Sequence, residues 1–156
     1  MRLALLAVGR AKPGPLRDLF EDYRRRLDGG PWGELRLIEV EERRRVSGAE
    51  RKAREGKLLL DALPKGACLI ALDERGKALD SAAFAALMAR QADSGVADLA
   101  FAIGGADGHD EAVTARAERL LSLGPMTWPH MLVRALMAEQ LFRAQSILTG
   151  HPYHRA

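Results

Sequence analysis

The chain has 156 residues, of which 47% are hydrophobic, 29% charged and 5% aromatic, a length and balance that fit one domain with a sizeable core and leave no room for a second. Its single cysteine, Cys68, excludes an internal disulfide and a cysteine-based metal site, and so predicts a reducing, cytoplasmic setting. The formal charge of +3 is uneven: residues 1–66 carry 16 Lys and Arg against 11 acids, while 67–156 carry 8 against 10.

In chain order, Leu3–Val8 reads as a buried strand, too short to span a membrane and without a cleavage-like site after it, so neither export nor membrane insertion is expected. Pro15 to Leu27 places Leu16, Leu19, Phe20, Tyr23 and Leu27 at helical spacing. Leu35 to Val40 is a second strand, Ala49 to Leu63 a second helix, and Ala67 to Leu72 a third strand. A third helix, Ser81 to Gln91, is capped by Asp80 or Ser81 and followed by a strand from Leu99 to Ile103. This βα alternation predicts an α/β fold with a parallel sheet under helices.

Beyond Ile103 come the turn Gly104-Gly105-Ala106-Asp107-Gly108, a short helix from Asp110 to Ala117, and a strand at Leu120 to Leu123. A long helix follows, with Pro129 in its first turn and Gly150 at its end. Its apolar face is wide enough to need two partners, the sheet and a second subunit, which predicts a homodimer.

Several chemistries find little footing. The segment Gly9-Arg10-Ala11-Lys12-Pro13-Gly14 lacks the Gly-Lys-Ser/Thr ending of a P-loop and is no dinucleotide fingerprint. Both glycine segments read as tight βα turns or as places where backbone approaches an anionic ligand. His151 and His154 flank Pro152 without a third soft ligand nearby, so no metal is expected. Cys68, inside an apolar strand, reads as a buried small hydrophobe and not a nucleophile. The triplets Arg24-Arg25-Arg26 and Arg43-Arg44-Arg45 suit either nucleic-acid phosphates or solvated faces. Glu139 and Arg143, four apart, are placed to pair on one helical face. The terminal His151-Pro152-Tyr153-His154-Arg155 suits either stacking on a base or docking on its own domain.

Taken together, Leu99 to Gly108, Leu121-Ser122-Leu123-Gly124-Pro125-Met126-Thr127-Trp128-Pro129-His130, Val133-Arg134, Glu139-Gln140, Arg143-Ala144 and Tyr153-His154-Arg155 resemble the ribosomal RNA large subunit methyltransferase H family. Leu5 to Gly9 and Ala71-Leu72-Asp73 extend the likeness over nearly the whole chain. The resemblance implies a SPOUT-class, S-adenosyl-L-methionine-dependent methyltransferase: a homodimer with a trefoil-knotted C-terminal half, needing no metal. Its substrate would be a pseudouridine of 23S ribosomal RNA, methylated at N3 in the assembled ribosome. By the same resemblance Leu72, Gly104, Leu123, Gly124, Pro125, Met126, Thr127 and Trp128 bind the donor. Pro125, in a pair that often includes lysine in relatives, has no N–H to donate. Arg143, Tyr153, His154 and Arg155 fall at active-site positions, the tail of one subunit completing the donor pocket of the other, and Arg155 is expected to bind RNA phosphate. A non-catalytic RNA-binding dimer is the alternative reading.

Overall fold

The computed structural model describes residues 1–155. Five strands, β1 (Arg2–Val8), β2 (Leu35–Val40), β3 (Cys68–Ala78), β4 (Asp98–Ile103) and β5 (Arg119–Ser122), pair in parallel in the order β2-β1-β4-β3-β5. The helices are α1 (Pro15–Leu27), α2 (Gly48–Ala62), α3 (Ser81–Asp93), α4 (Glu111–Arg116) and α5 (His130–Thr149). The expected parallel α/β architecture is therefore present.

Strand alternation sorts the core into two layers. Leu3, Leu5 and Ala7 of β1 pack with Phe20 and Leu27 of α1, Phe84 and Met88 of α3, and Met137 and Leu141 of α5. Ala4, Leu6 and Val8 point the other way, toward Leu59 of α2 and Val113 of α4. Because every strand runs in one direction, all the loops after strands emerge at one edge of the sheet, where ligands of such sheets bind.

Local chemistry sets the boundaries. Asp80 caps α3 by accepting from Ala83 N–H at 2.7 Å, and Asp110 caps α4 by accepting from Val113 N–H at 3.1 Å. Pro129 stands just before α5, as its N-cap, and not inside the first turn. The third strand runs well past the expected end at Leu72, because after an irregularity between Leu72 and Lys77 it pairs with β5 again, Lys77 opposite Leu121 and Ala78 opposite Ser122. Gly76 permits this crossing, since a Cβ there would lie 2.6 Å from the backbone of Leu120 and Leu121. Cys68 is half-buried at the start of β3, not enclosed within it as expected. Its thiol donates to the Glu118 carboxylate at 2.7 Å, and burial together with that carboxylate pushes its pKa up to about 12, which leaves it unreactive.

Candidate active site

The irregular middle of β3, from Leu72 to Arg75, and the C-terminal ends of β4 and β5 border a cavity of about 500 Å³. Leu72, Ile103, Leu121 and Val133 supply its apolar surface, the Gly104–Gly108 turn one wall and the loop after β5 another. Of the residues the resemblance assigns to the donor, Leu72, Gly104, Leu123, Gly124, Met126, Thr127 and Trp128 line this cavity. Pro125 is exposed and outside the lining. Gly104 is required by its own turn: an added Cβ would sit 2.8 Å from the Gly108 carbonyl carbon and 3.2 Å from the His109 nitrogen. The other wall is open, with Met126 70% exposed and the Trp128 indole donating to the Leu123 carbonyl at a long 3.4 Å.

The cavity and the turn beside it also hold side chains to which the sequence reading gave no role. Asp73 accepts from Arg75 in a bidentate pair at 2.9 Å, and that guanidinium holds the carboxyl down at about 2, so the rim keeps a matched ion pair at any physiological pH. His109 is buried, its Nε2 lies 3.2 Å from the Ala102 carbonyl, and its Nδ1 has no partner. A carbonyl can only accept, so Nε2 carries the proton, and burial lowers the pKa against the pull of Ala102 and Asp73. His130 begins α5 at the cavity edge, its pKa lowered by burial and then by the charge of Arg134. Beneath the glycine turn Glu55 is buried with one carboxylate oxygen unpartnered. Burial pushes its pKa up, Asp107 and Glu42 add to the rise, and Arg51 opposes it. No sequence period marks these positions; they meet only because parallel strands end together.

A second cluster forms where the tail folds back. Arg143 pairs with Glu139 as the spacing predicted, and it lies 4.8 Å from the centre of the Tyr153 ring and 3.4 Å from Nδ1 of His154. The Tyr153 hydroxyl bridges Glu139 at 2.9 Å and Tyr23 of α1 at 3.1 Å, and its ring packs on Phe142 with centroids 4.7 Å apart. Burial first, then these two partners, raises the phenol pKa, so Tyr153 acts as a donor at neutral pH. Arg155 is exposed beyond the cluster. The structure thus joins Arg143, Tyr153 and His154 to one another, on their own chain's α1 and α5, and none of them lines the donor-type cavity. Among the described residues, no three His, Cys, Asp or Glu side chains are grouped to hold a metal. No helix of the described residues is long and apolar enough to cross a membrane.

Residues 1–154 match the family model described as "Predicted SPOUT methyltransferase". Proteins called ribosomal RNA large subunit methyltransferase H are 62% identical in Rhodospirillum centenum and 56% in Rhodospirillum rubrum, each over 156 residues and the full length of both chains. The chain belongs to this family of SPOUT methyltransferases. The one from Paramagnetospirillum magneticum is 59% identical over 99% of each chain. A solved ribosomal RNA small subunit methyltransferase E from Neisseria gonorrhoeae, bound to S-adenosyl methionine, is a distant likeness at 16% identity. It covers 94% of this chain and 66% of its own, with a TM-score of 0.46.

Proposed function

We propose that this chain transfers the methyl group of S-adenosyl-L-methionine to N3 of a pseudouridine in 23S ribosomal RNA in the assembled ribosome, as a cytoplasmic homodimer whose C-terminal half is knotted. What carries the reading is the full-length relationship to ribosomal RNA large subunit methyltransferase H proteins, joined to a cavity of suitable size at the strand ends. The donor fits that cavity in kind. Leu72, Ile103 and Val133 can receive the flat adenine, and a rim bearing Glu74 and Asp107 beside Lys52 suits a ligand that carries sulfonium, ammonium and carboxylate charges. Leu72, Gly104, Leu123, Gly124, Met126, Thr127 and Trp128 hold it, largely through backbone; Pro125 shapes the loop without donating.

The donor, when bound, supplies an electrophilic methyl group. The chain's own residues must bring N3 into line with it and stabilise the anion left when N3 loses the proton it carries between two carbonyls. Arg143, fixed by Glu139, is the cation for that charge. Tyr153, kept protonated, donates to a carbonyl of the base; His154, beside Arg143, receives the N3 proton; and Arg155 binds phosphate. Since this cluster is outside the donor cavity of its own chain, a working site requires the tail of one subunit to meet the cavity of another. The broad apolar face of α5 and the exposed Leu16 and Leu19 of α1 support such a pairing. The knot is supported by membership of the SPOUT methyltransferase family.

Incubation of unmodified ribosomes, isolated subunits and free RNA with labelled donor, followed by mapping of the modified nucleotide, tests the reading. Label on N3 of one large-subunit pseudouridine is expected. A folded dimer that binds neither the donor nor its demethylated product would instead be a non-catalytic RNA-binding protein. Subunit mixing tests the composite site: a chain lacking residues 153–156 combined with one carrying Gly104→Val should regain activity in verified heterodimers. Continued inactivity there would place each site within one subunit.

A further inference from the structure

The chain carries two arginine triplets, and the structure separates them. In 24–26, on α1, the charges are engaged within the chain: Arg24 pairs with Glu21 at 2.8 Å and Glu34 at 2.7 Å, Arg26 pairs with Asp22 at 2.9 Å, and Arg25 donates to the Glu21 carbonyl at 3.3 Å. In 43–45, on the loop from β2 to α2, all three residues are exposed. Arg43 approaches Glu41 only at 3.7 Å, a carboxylate that Arg10 also approaches at 3.5 Å, while Glu42 accepts from the backbone N–H of Arg44 at 2.7 Å. Glu50, the acid between Arg45 and Arg51, is taken up by Arg54 at 2.9 Å. Among the described residues none of Arg44, Arg45 and the exposed Arg51 has a carboxylate partner. This cationic stretch leads to the donor-type cavity. An added Cβ on Gly48, where α2 begins, would lie 3.9 Å from the Asp107 carboxylate in the glycine turn, and Lys52, one turn further along α2, lines the cavity.

We propose that Arg44, Arg45 and Arg51 form a phosphate-binding tract for the RNA substrate, holding the backbone that leads to the nucleotide presented at the donor-type cavity. The inference rests on the RNA reading given above and deepens it by giving the substrate a surface. Guanidinium groups without an internal carboxylate keep their whole fork of donors for phosphate oxygens. The tract also stands clear of the face that a second subunit would cover. It belongs to the layer of α2, whose Leu59 packs with Ala4, Leu6 and Val8, whereas the subunit pairing draws on α5 and on Leu16 and Leu19 of α1, in the opposite layer. RNA suits it better than an acidic protein surface does. A nucleic acid offers an anion at every nucleotide, so three cations spread over a loop and the next helix find partners along one strand without any carboxylate having to be placed for each. Phosphate contacts fix the register of a strand and read no bases, so the tract positions the RNA and leaves the choice of nucleotide to the site itself.

The test uses the full-length protein, the double variant Arg44→Ala/Arg45→Ala and its counterpart Arg44→Lys/Arg45→Lys, with Lys65→Ala at the opposite, N-terminal edge of β3 as a control. Affinity for a single-stranded large-subunit RNA fragment, and for a shuffled RNA of equal length, is read as a function of salt, beside donor affinity by calorimetry and oligomeric state by sedimentation. The alanine double variant should lose about tenfold or more in affinity for both RNAs alike, and its plot of log affinity against log salt should flatten by about 1.4, or about 0.7 per phosphate contact removed. The lysine counterpart should keep the wild-type slope, because charge sets the release of counterions. Donor affinity and the dimer should be unchanged, and Lys65→Ala should behave as wild type. In turnover, KM for the ribosome should rise while kcat holds. An unchanged salt slope in the alanine double variant overturns the proposal, as does an equal flattening per charge in Lys65→Ala, which would mean that net charge alone is read. A fall in donor affinity would assign the arginines to the donor, and dissociation of the dimer would assign them to a second copy of the chain; either result also overturns it. RNA affinity is read without methyl transfer, so a wild-type protein that binds RNA but transfers no methyl fails the functional reading and leaves this test intact.

Discussion

Removing the guanidinium of Arg134 isolates what holds α5 to the sheet. Arg134→Met keeps the bulk and the helical propensity of the side chain, yet leaves the Val8 and Gly9 carbonyls without a donor and leaves Glu39 with Ala11 N–H alone. Breaking a buried ion pair from one side costs about 3–5 kcal/mol; because the Glu39 side chain retains 24% exposure, water reaches it and the lower end, about 3 kcal/mol, applies here. With a urea m-value of about 2 kcal/mol/M, the unfolding midpoint should fall by about 1.5 M at fixed protein concentration, followed by circular dichroism. Arg134→Lys, which keeps the charge but not the fork, should lie between Met and wild type. Titration of His130 gives a second readout: losing the Arg134 charge removes one of the two causes that depress its pKa, so that pKa should rise. A midpoint shift below about 0.5 M for Arg134→Met with unchanged m, or a lysine variant no better than methionine, would refute the clamp.

Gly104→Ala should cost about 1–3 kcal/mol in thermal unfolding and weaken donor binding, since the new methyl meets backbone 2.8 Å away; unchanged stability would mean that the turn yields freely. Cys68, with a pKa near 12, should alkylate with iodoacetamide at pH 8 about a thousandfold more slowly than a free thiol, and Glu118→Gln should speed the reaction. The chain has two tyrosines, so alkaline difference spectroscopy can follow Tyr153, which should ionise above the ordinary phenol range; Tyr153→Phe should cost about 1 kcal/mol and lower methylation while sparing donor affinity. Arg143→Ala should lower methylation far more than stability, measured side by side, because the Glu139 pair it breaks is only partly buried.

Short apolar runs located the strands and helical spacing located α1, because β1 is buried on both faces from Leu3 to Val8 while α1 buries Phe20 and Leu27. The second half of β3 escaped it. Glu74-Arg75-Gly76-Lys77 breaks the apolar run that ends at Leu72, and its pairing with β5 depends on a backbone approach that only the fold creates. That Leu72, Gly104 and Thr127 line one cavity was not legible from spacing, since they sit within β3, just after β4 and in the loop after β5. Asp73 and His109 stayed unassigned because ordinary polar residues after strands carry no mark of what they will face. Arg134 entered the sequence reading only within the family-like pair Val133-Arg134, with no role, and its burial depends on the β1 carbonyls it satisfies.

The double pairing of β3 with β5 gives the donor-type cavity one stiff flank and one soft one. Its stiff flank is laddered backbone, closed further by the tight contact at Gly76, whereas the 124–128 segment lies opposite with an exposed Met126 and one long indole bond. Protection from hydrogen exchange should follow this division, slow at Ala71 and Leu121 and fast along the 124–128 loop. Ligand arrival should register almost entirely in the soft flank, so loop closure and reopening, rather than any movement of the sheet, would set the pace of exchange between spent and fresh donor.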